Sequence, residues 1–454
     1  MNGHEADIGM FLHRKAAELK IANAFEPSDY EKADIKRGLR NADGTGVIAG
    51  LSHICNVQGY YIQDGERMPM AGRLTYRGIN VRQLAQSFID EKRFGYEETA
   101  YLLLFGSLPN RQQLDEFKVC MSELRALPPR FTEDMILAAP SRDIMNKLQR
   151  SVLAMYSYDE EPEPNNIEGE LRQALQLVAR TPTIIAHAFA AKKHYFDNDS
   201  LYLHRPQDDL SLAENFLYSM RHDKRFTEEE AHLLDLCLVL QMDHGGGNNS
   251  AFACRVLAST GTDIYSSISA AVGSLKGPKH GGANKRVQEM LGHIKTGVKD
   301  WRDDDEITRY LERIVLGEVG DGSGLIYGMG HAIYTLSDPR AEVLKSVART
   351  LAVSNGLTDE LDLIEAVERL APDVLNRAAG EERVMCANVD MYSGFVYSML
   401  DIPEEFYTPL FAMARMVGWC AHRIEEAYNP NKIIRPAYKV ISDKKAFVPM
   451  SKRV

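Results

Sequence analysis

Beyond Val81 the chain is punctuated in a helix, stop, helix rhythm, and strand signals almost vanish. YEETAYLLLFGSLPN, residues 96–110, predicts a helix that stops at Gly106 with Pro109 beyond it, and a second helix begins at Arg111. LRQALQLVARTPTIIAHAFAAKKHYF, residues 171–196, predicts a long apolar helix broken at Pro182. Further helices are expected over 227–242, 249–275, 284–298, 305–317, 340–354, 359–371 and 404–428. Alternation is confined to HICNVQGYYIQ and GRLTYRGINV, which bracket the turn-like DGERMPMAG and predict one small antiparallel hairpin. The expected fold is therefore mainly α with a small N-terminal β-hairpin.

At 454 residues the chain is long enough to divide, since single cores stop growing at about 300 residues, and two domains are expected. The net charge of −11 and the lack of a basic, aromatic-laced stretch argue against nucleic acid. No apolar run approaches the roughly 18 residues of a membrane span, and the first residues lack the apolar core of a signal peptide, so a cytoplasmic protein is expected. Six scattered cysteines with no CxxC pair read as reduced core thiols. Residues 1–47 read as a charged extension, and DEEPEPNN (159–166) as a surface loop.

Four glycine-rich or turn-like stretches each present a polar residue: His244 in MDHGGGNNS, His280 in GPKHGGAN, His331 and Arg340 in YGMGHAIYTLSDPR, and Asp390 in ANVDMYSG. Glycine lets backbone approach a ligand closely, so histidines beside several glycines point to a site. No HExxH, GxSxG, phosphate-loop or GxGxxG motif occurs, and no metal is expected. Arg415 lies among the apolar residues of PLFAMARMVGWCAHRIEE, where a guanidinium needs an anionic partner, either a core carboxylate or a ligand. Arg340, after SDP, and Arg435, in IIRPAY, look exposed, yet with Arg415 they would make an anion clamp.

Taken in order, GPKHGGAN, GMGHAIYTLSDPR, NVDMYSG and LFAMARMVGWCAHRIEE, together with LTYRG (74–78) and YLLLFGSLP, resemble the citrate synthase family from about Gly50 to Tyr438. The resemblance implies a helical homodimer with a two-domain subunit. After the 1–47 extension, residues 48–278 and 391–454 would form the large domain and its tail, and residues 279–390 a small domain that closes over the substrates. It implies that His280, His331 and Asp390 are catalytic. It also implies that His244, Arg340, Arg415 and Arg435 hold oxaloacetate, Arg435 reaching across from the partner subunit, and that Arg383 lies near the coenzyme A phosphate. Acetyl-CoA would be a substrate, and no cofactor is implied. Lys279 departs from the leucine of many relatives, and Ala332 and Ile333 replace the arginine and valine of a common GHRVY variant. Residues 1–47 do not resemble the β-rich segment of NADH-inhibited relatives.

The residue types suit the reaction so implied. A carboxylate can take a methyl proton from acetyl-CoA, a neutral histidine at a helix N-terminus can donate to the enol oxygen, and a second histidine can polarise the ketone of oxaloacetate. Water then hydrolyses the citryl thioester. Propionyl-CoA would give 2-methylcitrate with the same residues, and one methylene discriminates by only about 1–3 kcal/mol, so both substrates stay open. A catalytically silent helical dimer acting as a regulator should have lost a catalytic residue, and none is lost.

Overall fold

A computed structural model describes residues 3–32, 35–41, 43–429, 432–442 and 444–453. It divides into a main unit, Gly50–Ile434, and a terminal unit made of Met1–Ala49 and Arg435–Val454. The terminal unit contains α1 (Gly3–Ala22) and α2 (Pro27–Lys32), and beyond Arg435 it has one 3₁₀ turn, Met450–Lys452. Ile8, Phe11, Leu12 and Leu19 on α1 are exposed.

The main unit opens with β1 (Cys55–Gln63) and β2 (Glu66–Tyr76), an antiparallel pair, and β3 (Ile79–Asn80) adds a short third strand against β2. The expected hairpin is thus a three-stranded sheet. Its first turn is only Asp64-Gly65, both with positive φ (53° and 83°), as a two-residue turn matched to strand twist requires. ERMPMAG belongs to β2 instead of the turn. Its Pro69 and Gly72 look like breakers in sequence, yet Pro69 is paired with Tyr60.

Gly72 has another purpose. A Cβ there would lie 2.1 Å from the Ser337 carbonyl oxygen, and one on Gly59, at the irregularity in β1, would lie 2.4 Å from that of Ile333. The two strands therefore cradle the backbone of 333–339. Thr335 donates its hydroxyl to the carbonyls of Gly59 and Met70, and Gly72 N–H donates to Ser337 Oγ at 3.2 Å.

Helices follow in succession: α3 (Val81–Glu91), α4 (Tyr96–Phe105), α5 (Arg111–Glu123), α6 (Ile144–Ala154), α7 (Ile167–Asp197), α8 (Leu212–Met220) and α9 (Glu228–Gln241). Next come α10 (Asn249–Ala258), α11 (Ile264–Lys276), α12 (Ala283–Gly297), α13 (Asp304–Val315), α14 (Pro339–Asn355), α15 (Thr358–Ala379), α16 (Asp390–Met399) and α17 (Tyr407–Tyr428). Gly106 ends α4 in the left-handed conformation, as its sequence predicts, and Asn110 closes a capping box on α5.

Three expectations fail for local reasons. α7 runs unbroken through Pro182, because every residue from Thr181 to Ala188 is buried. Burying Ile184 and Ile185 alone gains about 1.5–3 kcal/mol each, which offsets the roughly 3 kcal/mol cost of an interior proline. α15 likewise passes Pro372 and ends at Ala379, not at 371. The single helix expected over 249–275 is two. Gly261 (φ +82°) turns the chain, and the Asp263 carboxylate caps α11 by accepting Ser266 N–H at 2.8 Å.

α17 lies at the centre, packed against α4, α7, α9, α10, α11 and α12. Its side chains from Ala412 to Arg423 are all buried, so any polar group on it must find partners inside the protein.

Candidate active site

The four glycine-bearing stretches all lie at helix ends around α17 and the sheet. His244 stands in the turn between α9 and α10. The Asp243 carboxylate accepts the N–H groups of His244 and Gly245 at 2.6 and 2.9 Å, and Gly245 supplies φ +80°. Burial lowers the His244 imidazole well below its usual range. Arg340, His331, Arg415 and His280 add to the shift in that order, which puts all four within electrostatic reach of one ring.

His280 precedes α12 by one turn. Its Nε2 lies 3.2 Å from Ser250 Oγ, which also accepts the Trp419 indole N–H at 3.1 Å. Its pKa is pushed down to about 4, first by burial and then by the Arg415 guanidinium. Burial and Arg415 thus favour the neutral ring that the sequence reading expects from its place at a helix N-terminus.

His331 is fixed by its own turn. Nδ1 accepts the backbone N–H groups of Ile333 and Tyr334, both at 3.1 Å, so the ring proton sits on Nε2. The ring stacks on Tyr334 with centroids 4.6 Å apart and meets His244 edge-on at 5.1 Å. The Tyr334 hydroxyl lies 3.3 Å from His244 Nε2.

Asp390 is the first residue of α16. Asn388 Oδ1 accepts its N–H at 3.0 Å, while Asn388 Nδ2 donates to the Gly330 carbonyl at 3.0 Å and Asn388 N–H to that of Gly328 at 2.8 Å. The NVD and GMGH stretches are therefore zipped together, which joins Asp390 to the His331 turn. Gly328 permits this, because a Cβ there would press on Met391 and Val287. Asp390 as a residue is half-buried, and burial of its carboxyl raises the pKa to about 6. Arg340 opposes the rise and Asp338 adds to it.

Arg340 is not exposed, as its sequence context suggests, but buried at 3% accessibility. Asp338 caps α14 by accepting Arg340 N–H, with Pro339 as the first helical residue, and then pairs with the guanidinium of the same residue. Arg415 is buried completely. Its Nε donates to the Gln241 carbonyl at 2.8 Å and Nη1 approaches Asn248 Oδ1 at 3.4 Å, while Nη2 has no partner. Of the two alternatives open for it, the core ion pair is absent among the described residues, and a buried cationic N–H stands ready for an anion. Phe411 stacks under this guanidinium at 4.8 Å and meets the His280 ring at 6.4 Å.

Two of the expected arginines have exposed side chains. Arg383 is exposed and paired with Glu381. Arg435 is exposed and belongs to the terminal unit. Sequence reading missed Tyr334, Ser250, Asp338 and Asn388, although SDPR carries the signal of a cap followed by proline. A cavity of about 780 Å³ lined by Lys193, His204, Arg221 and Arg225 contains none of the glycine-flanked residues.

Two cationic side chains, three histidines within reach of them and one carboxyl of raised pKa can bind a dianion, polarise carbonyls and remove a proton. The family model described as "Citrate synthase, C-terminal domain" matches residues 41–437. The citrate synthase of Synechocystis sp. is 33% identical over 413 residues, covering 90% of this chain and 93% of that protein. The 2-methylcitrate synthase of Shewanella oneidensis is 30% identical over 382 residues, covering 84% and 92%. Among solved structures, the ternary complex of carboxymethyl coenzyme A and oxaloacetate with citrate synthase from Thermoplasma acidophilum superposes with a TM-score of 0.73 at 26% identity, covering 92% of this chain and 99% of the other. With the family matched over most of its length, this chain is a member of the citrate synthase family and an acyltransferase.

Proposed function

We propose that the protein condenses acetyl-CoA with oxaloacetate and water to give citrate and CoA. The observation that carries this reading is the unpartnered, fully buried Nη2 of Arg415, within electrostatic reach of Arg340 and His244. Arg415 and Arg340 hold the carboxylates of oxaloacetate, with His244 beside them and Arg435 supplied by the second subunit of a homodimer. His331 donates its Nε2 proton to the ketone oxygen. Asp390 takes the methyl proton of acetyl-CoA while His280, as a neutral donor, stabilises the enol oxygen. The enol carbon attacks the ketone, and water cleaves the citryl thioester.

Arg383 lies near the CoA phosphates in this reading, and no metal or cofactor takes part. Residues 279–390 act as a small domain closing on the remainder of 48–454. Six free cysteines support a cytoplasmic setting, and among the described residues no helix is long and apolar enough to cross a membrane.

The similarity to a 2-methylcitrate synthase favours propionyl-CoA as the second candidate substrate. The test is free-thiol release by the purified protein with oxaloacetate and each acyl-CoA. A higher kcat/KM for acetyl-CoA supports the reading, and a higher value for propionyl-CoA replaces it with 2-methylcitrate formation.

A further inference from the structure

Behind the site runs a buried chain of groups to which the proposed reaction gives no part. Asp243 and His422 are fully buried and Arg255 nearly so. His422 Nε2 lies 2.7 Å from Asp243 Oδ2 and 3.1 Å from Oδ1. On the other edge of the ring, Arg255 directs Nε and Nη2 at His422 Nδ1, at 3.1 and 2.7 Å. With Nδ1 occupied as an acceptor of guanidinium protons, the ring proton sits at Nε2 and is donated to Asp243. Arg255 is in turn held by Glu426 at 2.8 Å and by Glu425, which also accepts His53 N–H at 2.7 Å.

Asp243 sits where it can do harm. Its charge acts on Arg415, yet no hydrogen bond joins them, and Arg415 Nη2 is unpartnered. A buried carboxylate beside a buried guanidinium with a free N–H pairs with it unless other donors hold it. Asp243 is so held, by His422 on one side and by the His244 and Gly245 N–H groups on the other. Gly418 makes this possible: a Cβ there would lie 2.3 Å from the Met242 carbonyl oxygen, and the close approach brings His422, one turn further along α17, against Asp243.

We propose that Arg255, His422 and Asp243 form a positioning relay that keeps the Asp243 carboxylate off Arg415, so that the guanidinium remains free for a substrate carboxylate. The proposal rests on the reading of Arg415 as an oxaloacetate ligand. The relay also orients His244, because the carboxylate that His422 restrains anchors the His244 turn.

The test measures oxaloacetate affinity by calorimetry, alongside steady-state kinetics, for His422→Leu, His422→Gln and His422→Leu combined with Asp243→Asn. Leucine removes the donor, so Asp243 turns to Arg415. Kd and KM for oxaloacetate then rise on the order of tenfold, the size of one charge-assisted hydrogen bond, while kcat falls less. Glutamine, which retains one donor and one acceptor, preserves most of the affinity. Adding Asp243→Asn to His422→Leu removes the competing charge and restores affinity, which no loss of packing would do. Unchanged affinity in His422→Leu, or a double variant worse than the single one, overturns the relay.

Should His422→Leu fail to fold, Arg255→Gln loosens the relay from its far end. It is expected to weaken oxaloacetate binding, and wild-type affinity there overturns the proposal. If the unaltered protein binds oxaloacetate but releases no thiol from either acyl-CoA, the reaction assignment fails while the affinity comparisons still decide the relay. If it does not bind oxaloacetate, both fail together.

Discussion

Arg340 is locked to Asp338, two residues before it, through Nε and Nη2 at 3.0 and 2.7 Å, with both side chains buried. The pair helps to set the potential at Asp390, whose carboxyl burial lifts to about 6, with Asp338 raising it further and Arg340 opposing. A general base must be ionised, so kcat/KM for acetyl-CoA should rise with pH through about 6 and level off above it. Asp338→Asn removes the raising charge and releases Arg340 from its partner, and both changes move that limb to lower pH. An unmoved limb in the pH profile assigns it to another group.

Asp390→Asn should lose turnover by about 100-fold or more. Its stability should change in the opposite sense. The folded value lies above the ordinary 3.8, so the contribution of Asp390 to stability is full below that value and is lost as pH rises through about 6. The variant should therefore melt above the wild type at pH 7.5, and the gain should shrink towards pH 4. Melting curves at the two pH values check the sign.

Oxaloacetate should raise the melting temperature of the wild type, by an amount equivalent to about 2.7 kcal/mol at one hundred times Kd. In Arg415→Met the shift should disappear, because the unpartnered Nη2 is the group that meets the ligand. A shift of undiminished size would place the dianion elsewhere.

Gly72→Ala should cost about 1–3 kcal/mol, as overpacking does, because its Cβ would fall 2.1 Å from a backbone oxygen that no rotamer change can move. Activity should fall with stability, since that backbone connects His331 to Arg340. Denaturant melts and kcat/KM measured on one preparation test the link.

Arg435→Ala and Asp390→Asn should each be inactive alone. Under subunit exchange, mixtures should recover part of the activity, because some hybrid sites carry neither change. Proven heterodimers without recovery would return Arg435 to its own subunit's site.

The affinity for a non-reactive acetyl-CoA analogue should increase about 5- to 150-fold when oxaloacetate is saturating, the usual range of coupling between sites. His244, His331, Arg340 and Arg415 already interact, so filling the anion site relieves repulsion that the empty site retains. A change of less than about twofold would sink the ordered mechanism.

Most of the helices were legible from period and punctuation, and so were the stretches that bear His244, His280, His331 and Asp390. Partners distant in sequence were not. The burial of Arg340 depends on the sheet covering 333–339, and the continuity of α7 through Pro182 depends on its surroundings; neither leaves a local trace. For His280, burial and the sequence-distant Arg415 both act to keep the ring neutral, and neither is visible in the local glycine-rich stretch. Asp64-Gly65 was readable as a two-residue turn, but Pro69 and Gly72 drew the turn out too far.

The contact between Gly59 and Ile333, and between Gly72 and Ser337, also governs what can be exchanged between relatives. It joins backbone to backbone, so side-chain substitution cannot retune it and the two partners must fit as they are. Strands 55–76 and the segment 331–340 are far apart in the chain, yet they should be inherited as one piece. A chimera that takes residues 279–390 from another member of the family should assemble poorly with the resident sheet and recover when residues 55–76 are transplanted with them.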